Sequence, residues 1–195
     1  MPRHIKLAAI SPHHLNLNGD LGNLLVLQKR LAWRDVTSSI SHLDGSEILS
    51  EFDFVLLGHG SNAAWTQLLS THPDLTKNVL SFINQGGAVL AVASAADLLR
   101  PLLTGVESAS GAWVSKFAEM DSVVGYLNTA SKSKYVDWIE NALLTQLHGP
   151  VLAKNPALAD EIISKNGWSD ISIRSMELYE VDEFAEQSRK IALEN

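Results

Sequence analysis

Gly86-Gly87-Ala88-Val89-Leu90-Ala91-Val92-Ala93-Ser94 is the stretch that decides the fold. The apolar run from Ala88 to Ala93 follows a Gly-Gly helix stop and precedes a serine that opens a new helical pattern. A strand apolar on both faces belongs at the centre of a parallel sheet, where helices cover it from either side. Upstream, Phe52-Asp53-Phe54-Val55-Leu56-Leu57-Gly58 is a second buried strand. It runs into the loop Gly58-His59-Gly60-Ser61-Asn62, where two glycines permit positive φ and a sharp bend. Between the two strands, apolar spacing from Ala64 to Asn84 predicts helix interrupted near Pro73. Earlier still, Ile5 to Ile10 reads as a strand closed by Ser11-Pro12, Asp20 to Trp33 as a helix, and Val36 to Leu43 as an edge strand.

Downstream, Ser94 to Leu99 is expected to be a helix that Arg100-Pro101 stops. The pattern is less regular after Gly105. Val123 to Leu127 reads as a strand, Ser131 to Lys134 as a polar turn, and Tyr135 to Leu147 as helix followed by a short extended piece. Pro156 to Ile163 and the acidic stretch Met176 to Leu193 read as helices. Strands alternating with helices indicate an α/β three-layer sandwich with a mainly parallel central sheet. Ligands of such sheets bind outside the carboxyl ends of the strands, so Gly58 to Asn62 and Ala93 to Ala96 are the loops where a site is expected.

At 195 residues the chain divides into about 1.3 domains of ordinary size, and a single domain over residues 1–195 is expected. Fifteen Lys+Arg against 22 Asp+Glu give a formal charge of −7 with no basic run, so nucleic acid is not an expected partner. No apolar stretch approaches the roughly 20 residues that span a bilayer, and a cytoplasmic location is expected. There is no cysteine, which excludes disulfides, thiolate metal sites and any cysteine nucleophile.

Several local patterns have ordinary readings. His13-His14 with Asp20 lacks a third ligand at metal-binding spacing, so no metal and no cofactor is expected. Gly58-His59-Gly60 lacks the Gly-Lys-Ser/Thr ending of a phosphate-binding loop. Asp20 is placed to cap the first helix. Trp33, Trp65 and Trp138 read as core or interface residues, while Trp113 and Trp168, outside regular helices, are the first candidates for partner contact.

Four ordered blocks carry a wider resemblance. They are Leu15-Asn16-Leu17-Asn18-Gly19-Asp20-Leu21-Gly22-Asn23, Asp53 to Ser61, Gly86 to Leu99, and Leu147-His148-Gly149-Pro150-Val151-Leu152-Ala153-Lys154-Asn155-Pro156-Ala157-Leu158-Ala159-Asp160. With a fainter match at Val123-Val124-Gly125-Tyr126, they resemble the class I glutamine amidotransferase family of the cobyric-acid-synthase (CobB/CobQ) type. Within it they look most like the small GatD-type glutaminase subunit of lipid II isoglutaminyl synthase. The resemblance implies a flavodoxin-like fold, and a cysteine on a strand-to-helix turn that attacks the glutamine carboxamide after activation by a histidine. It also implies ammonia delivery to a Mur-ligase-like (MurT-type) synthetase partner that amidates a peptidoglycan precursor.

Carried onto this chain, the resemblance places the histidine at His148, the oxyanion loop and substrate contacts at Gly58, His59, Gly60 and Asn128, and the nucleophile at position 93. Position 93 is alanine, and the two glycines that follow the family's cysteine are Ser94 and Ala95. A methyl group forms no thioester, so the expectation is a degenerate glutaminase subunit acting as scaffold or regulator. Leu127 replaces the glutamate that usually follows the Gly-aromatic pair, and no arginine follows Asn128 before Lys132, which weakens substrate recognition as well. Two rivals stay open: a different hydrolase using Ser94 or Asp97 with His148, and a non-catalytic domain that binds glutamine or another small molecule in the same pocket.

Overall fold

The computed structural model describes residues 4–107 and 109–194. Strands β1 (Ile5–Ile10), β2 (Ser38–Leu43), β3 (Phe54–Leu57), β4 (Ala88–Val92), β7 (Val136–Ile139) and β8 (Ala142–Thr145) form a six-stranded sheet in the order β2-β1-β3-β4-β8-β7. All neighbours pair parallel except β7, which closes the far edge antiparallel to β8. The stretch from Ala88 is central, with Leu90 between Leu56 and Leu143 in register.

Alternation along β4 divides the interior in two. Ala88, Leu90 and Val92 pack with Leu24, Leu27 and Leu31 of α1 (Gly22–Ala32) and with Ile162 of α6 (Pro156–Lys165), which follows the short α5 (Val151–Lys154). Val89 and Ala91 pack on the other face with Leu68 of α2 (Asn62–Thr71), Val79 and Phe82 of α3 (Leu75–Asn84), and Leu99 of α4 (Ser94–Thr104). This is the expected three-layer sandwich. Leu90 is fully buried, and its truncation to alanine would cost about 2–5 kcal/mol. The long helix α7 (Met176–Glu194) is tied to the α1 side by charge: Arg30 is forked by Asp160 (2.7 and 2.8 Å) and Asp182 (2.6 Å).

A second, antiparallel sheet of β5 (Ser110–Met120), β6 (Val123–Ser131) and β9 (Leu147–His148) stands beside the first. Its outer strand β5 is largely exposed, which is why its apolar pattern was weak in the sequence.

Other expectations are corrected. Helix α4 does not stop at Arg100-Pro101; it runs through Pro101 to Thr104 and ends at Gly105, which adopts φ 68°. The lost hydrogen bond at Pro101 is tolerated because the helix is held on the sheet by Ala95, Ala96 and Leu99, all with no exposed surface. Tyr135 to Leu147 contains no helix. The β7–β8 hairpin lies there, turning at Glu140-Asn141 between paired Ile139 and Ala142, and the apolar run Ala142–Leu144 is buried strand. Trp168 is buried, edge-on to Phe54 at 6.0 Å, so it is core and not a partner contact. Trp113, by contrast, is 66% exposed.

Candidate functional site

Ala93 is the single residue between β4 and α4, and its backbone is bent to φ 50° and ψ −108°. A residue with a Cβ held there carries about 1–3 kcal/mol of strain, which the surroundings must offset. They do so by fixing both sides of the corner: Ala93 N donates to Thr145 O (2.7 Å), and Asp97 N donates to Ala93 O (3.0 Å). The corner has the form of a nucleophile elbow, with a methyl group where an elbow presents its reactive atom.

The loop after β3 meets this corner through Ser94. Its Oγ accepts from Gly60 N (3.0 Å) and from Trp65 Nε1 (2.9 Å), and it lies 3.0 Å from both His59 Nδ1 and Gly60 O. A hydroxyl has one proton and two lone pairs, so these partners saturate it. With both lone pairs engaged, Ser94 is a staple between the loop and the elbow, and His148 is not among its hydrogen-bond partners. The amide of Ser94 in turn faces His59 Nδ1 at 3.4 Å. Oxyanion holes use the amide after the nucleophile together with a loop amide. Here both have internal acceptors.

Beneath the loop lies Asp20, with no exposed surface. It does not cap α1, whose N-terminal boundary at Leu21 has no side-chain cap. Its carboxylate instead accepts from His59 N (2.7 Å) and Gly149 N (3.2 Å), joining the loop after β3 to the His148-Gly149-Pro150 turn. Burial pushes its carboxyl above the ordinary value, and the two amides pull it part of the way back. Gly58 and Gly60 are needed here for space rather than for positive φ. A Cβ on Gly58 would lie 2.0 Å from Leu15 O, and one on Gly60 2.4 Å from Leu15 Cδ2.

The two imidazoles stack edge-to-face, with centroids 4.6 Å apart. Asn18 Nδ2 donates to Nδ1 of His148 (2.6 Å), which puts the ring proton on Nε2, where it faces the Asn128 carbonyl at 3.2 Å. Both nitrogens of His148 are thus committed. Burial lowers its pKa, and burial with the neighbouring His148 holds His59 down at about 4, so both rings are neutral at pH 7.

These residues border one open cleft of about 580 Å³ at the carboxyl ends of β3 and β4. The sequence-derived candidates His59, Gly60, Ala93, Ser94, Asn128 and His148 all line it. Gly58 does not; it is a buried packing position under the loop. Asp97, named only with a rival reading, also lines the cleft and accepts from Gln146 Nε2 (2.8 Å). Burial raises its carboxyl, while Ser131, Gln146 and Arg100 act in the other direction. Gln146 was missed. Its signal was a polar residue inside the apolar run from Ala142 to Leu147, where a buried amide requires partners, and Thr129 Oγ1 supplies the other at 3.1 Å. No group of three or more metal-ligating side chains occurs among the described residues. No helix among them is long and apolar enough to cross a membrane.

No protein-family model matches the chain, and no curated protein matches it in sequence. Solved structures do. A glutamine amidotransferase from Thermotoga maritima superposes with TM-score 0.50 at 12% identity, covering 97% of this chain and 94% of its own. A second glutamine amidotransferase gives 0.51 at 13% identity, covering 82% and 98%. Drosophila melanogaster DJ-1beta gives 0.47 at 17% identity, covering 93% and 97%. With its mainly parallel sheet and the elbow at Ala93, the chain has the α/β fold seen in glutamine amidotransferases.

Proposed function

We propose that this chain is a catalytically silent subunit of the glutamine amidotransferase type. On this reading it is GatD-like and docks on a Mur-ligase-like synthetase that amidates a peptidoglycan precursor, serving as scaffold or regulator. The observation that carries the silent part is Ala93 at the strained corner between β4 and α4, facing the same cleft as His148. A thioester needs a sulfur at that corner, and a methyl cannot substitute.

Two further features support the reading. The amides of Gly60 and Ser94 are turned to Ser94 Oγ and His59 Nδ1, so a developing oxyanion would find its donors occupied. His148 has neither a free nitrogen nor a thiol to activate. The same geometry speaks against a Ser94–His148 hydrolase, since the serine is bound to the loop after β3 and to Trp65. The partner and the pathway rest on the four sequence blocks.

The test has two parts. Incubated with glutamine, the purified chain is expected to release no ammonia above a buffer blank, and release that disappears in His148→Ala would overturn the silent reading. Co-purification with a Mur-ligase-like synthetase encoded beside it is expected; failure of the two to associate would remove the scaffold role.

A further inference from the structure

The cleft has a charge pattern that does not suit a free amino acid. Among the described residues its lining contains no Lys or Arg, and its ionisable side chains are His59, His148 and Asp97. Both imidazoles are neutral at pH 7, and Asp97 is the one acidic side chain in the lining. The cation behind it, Arg100, is held by Asp137 at 2.7 Å and faces Lys134 O at 3.4 Å, and it does not line the cleft. The first amide of α4, which would otherwise attract an anion, points at His59 Nδ1. A carboxylate or phosphate entering this space meets an acidic side chain and no cationic one in the lining.

What the walls offer is different. The lining includes neutral hydrogen-bonding side chains, among them Ser61, Asn62 and Asn128, together with the Asp97 carboxyl group. Next to Asn128 the lining also presents the indole of Trp113. Trp113 is 66% exposed, yet its ring is pinned by donation from Nε1 to Asn128 Oδ1 at 2.9 Å. Phe117 and Tyr126, each 39% exposed and 5.4 Å apart edge-to-face, add further exposed aromatic surface on the β5–β6 hairpin, outside the cleft lining. A fixed indole beside uncharged amides, hydroxyls and one carboxylate matches a ligand with one apolar face and a rim of hydroxyls.

We infer that the cleft holds an uncharged or amino-bearing sugar ring, stacked on Trp113 with its hydroxyls bonded to Asp97 and Asn128, and that it rejects ligands bearing a carboxylate. About 580 Å³ accommodates such a ring, with further rings running along Phe117 and Tyr126. The inference rests on the reading that the cleft performs no thioester chemistry.

The test uses one ring in three charge states. Glucose, glucosamine and glucuronate, with L-glutamate as an amino-acid control, are titrated into the full chain and followed by calorimetry and tryptophan fluorescence. Glucose and glucosamine are expected to bind, glucosamine the tighter, with glucuronate at least about tenfold weaker and glutamate silent. Trp113→Ala should weaken both sugars about tenfold, whereas Asp97→Asn should narrow the gap between glucosamine and glucuronate. Trp113 is exposed and Asn matches the shape of Asp, so both variants retain the fold. Glucuronate or glutamate binding as tightly as glucose, binding indifferent to Trp113→Ala, or no binding by any of the sugars at millimolar concentration would overturn the inference. Ammonia release from glutamine is a separate readout: its appearance would sink the silent-subunit reading, and failure of the sugars alone would leave that reading standing.

Discussion

The two walls of the cleft are built in opposite ways. The inner wall, made by Ala93, Ser94 and the loop after β3 with Asp20 beneath it, is tied together by internal hydrogen bonds from the amides of His59, Gly60 and Gly149 and from Trp65 Nε1. The outer wall, made by Trp113 and its hairpin, leaves large aromatic surfaces in solvent. Catalytic centres need free donors and a free nucleophile on the inner side; here the Gly60 and Ser94 amides have internal acceptors and position 93 carries a methyl group. The outer side is open to solvent. Substitutions on the inner wall should therefore change stability, and those on the outer wall should change binding.

The largest effect is expected for Asp20→Ala. It strands the amides of His59 and Gly149 in the interior, each worth about 1–3 kcal/mol, so urea denaturation should show a loss of about 3 kcal/mol. A loss below about 1 kcal/mol would mean that the carboxylate is not the tie between the two loops. Next comes Ser94→Ala, which leaves Gly60 N and Trp65 Nε1 without their acceptor and should lower stability by about 2 kcal/mol. If Ser94→Ala proves neutral, the staple is dispensable and the serine is free for another role.

A smaller, pH-dependent effect follows from the imidazoles. His59 is held at about 4 against an ordinary value of 6.5, and His148 is lowered too. In the pH range between those two values the unfolded chain binds protons that the folded chain refuses. The contribution of His59 is therefore complete above pH 6.5 and declines as pH falls toward 4. Asp20, raised by burial, acts in the opposite sense, so the comparison is with His59→Gln. That variant should lose less stability than the parent between pH 7 and pH 4.5, as read from urea midpoints; parallel pH profiles would contradict the assignment. The smallest effect is on the outer wall, where Trp113→Ala should change stability by no more than about 0.5 kcal/mol.

The same contrast governs what could be read from the chain. The sheet was legible where both faces of a strand are covered: β1, β3 and β4 read as apolar runs because helices bury them on either side. The hairpin β5–β6 lacked that signal, since one face of β5 meets water along most of its length. Tyr135 to Leu147 reads as helix followed by a short extended piece because a short apolar run has the same composition in either state, and the pairing of β8 with β4 and β7 is what makes it a strand hairpin. Pro101 was taken as a helix stop by local rule, and tertiary packing overrode it.

For the site, Ala93, His59, Gly60 and His148 come from the ordered blocks and Asn128 from the stretch just after Val123-Val124-Gly125-Tyr126, and all five line one cleft. The bonds that tie its loops together were not foreseeable. That Ser94 would reach Gly60 and Trp65, and that Asp20 would bridge His59 to Gly149, depends on contacts between residues 29 to 129 positions apart, which no local pattern reports.

The most direct measurement of the central claim is ammonia release from glutamine by Ala93→Cys, with the parent chain as control. The account predicts no release from either, because the restored thiol would face a cleft whose Gly60 and Ser94 amides are already engaged and whose His148 has both nitrogens occupied. Sustained turnover by Ala93→Cys, abolished by His148→Ala, would show that the machinery around position 93 is intact and that only its sulfur is missing.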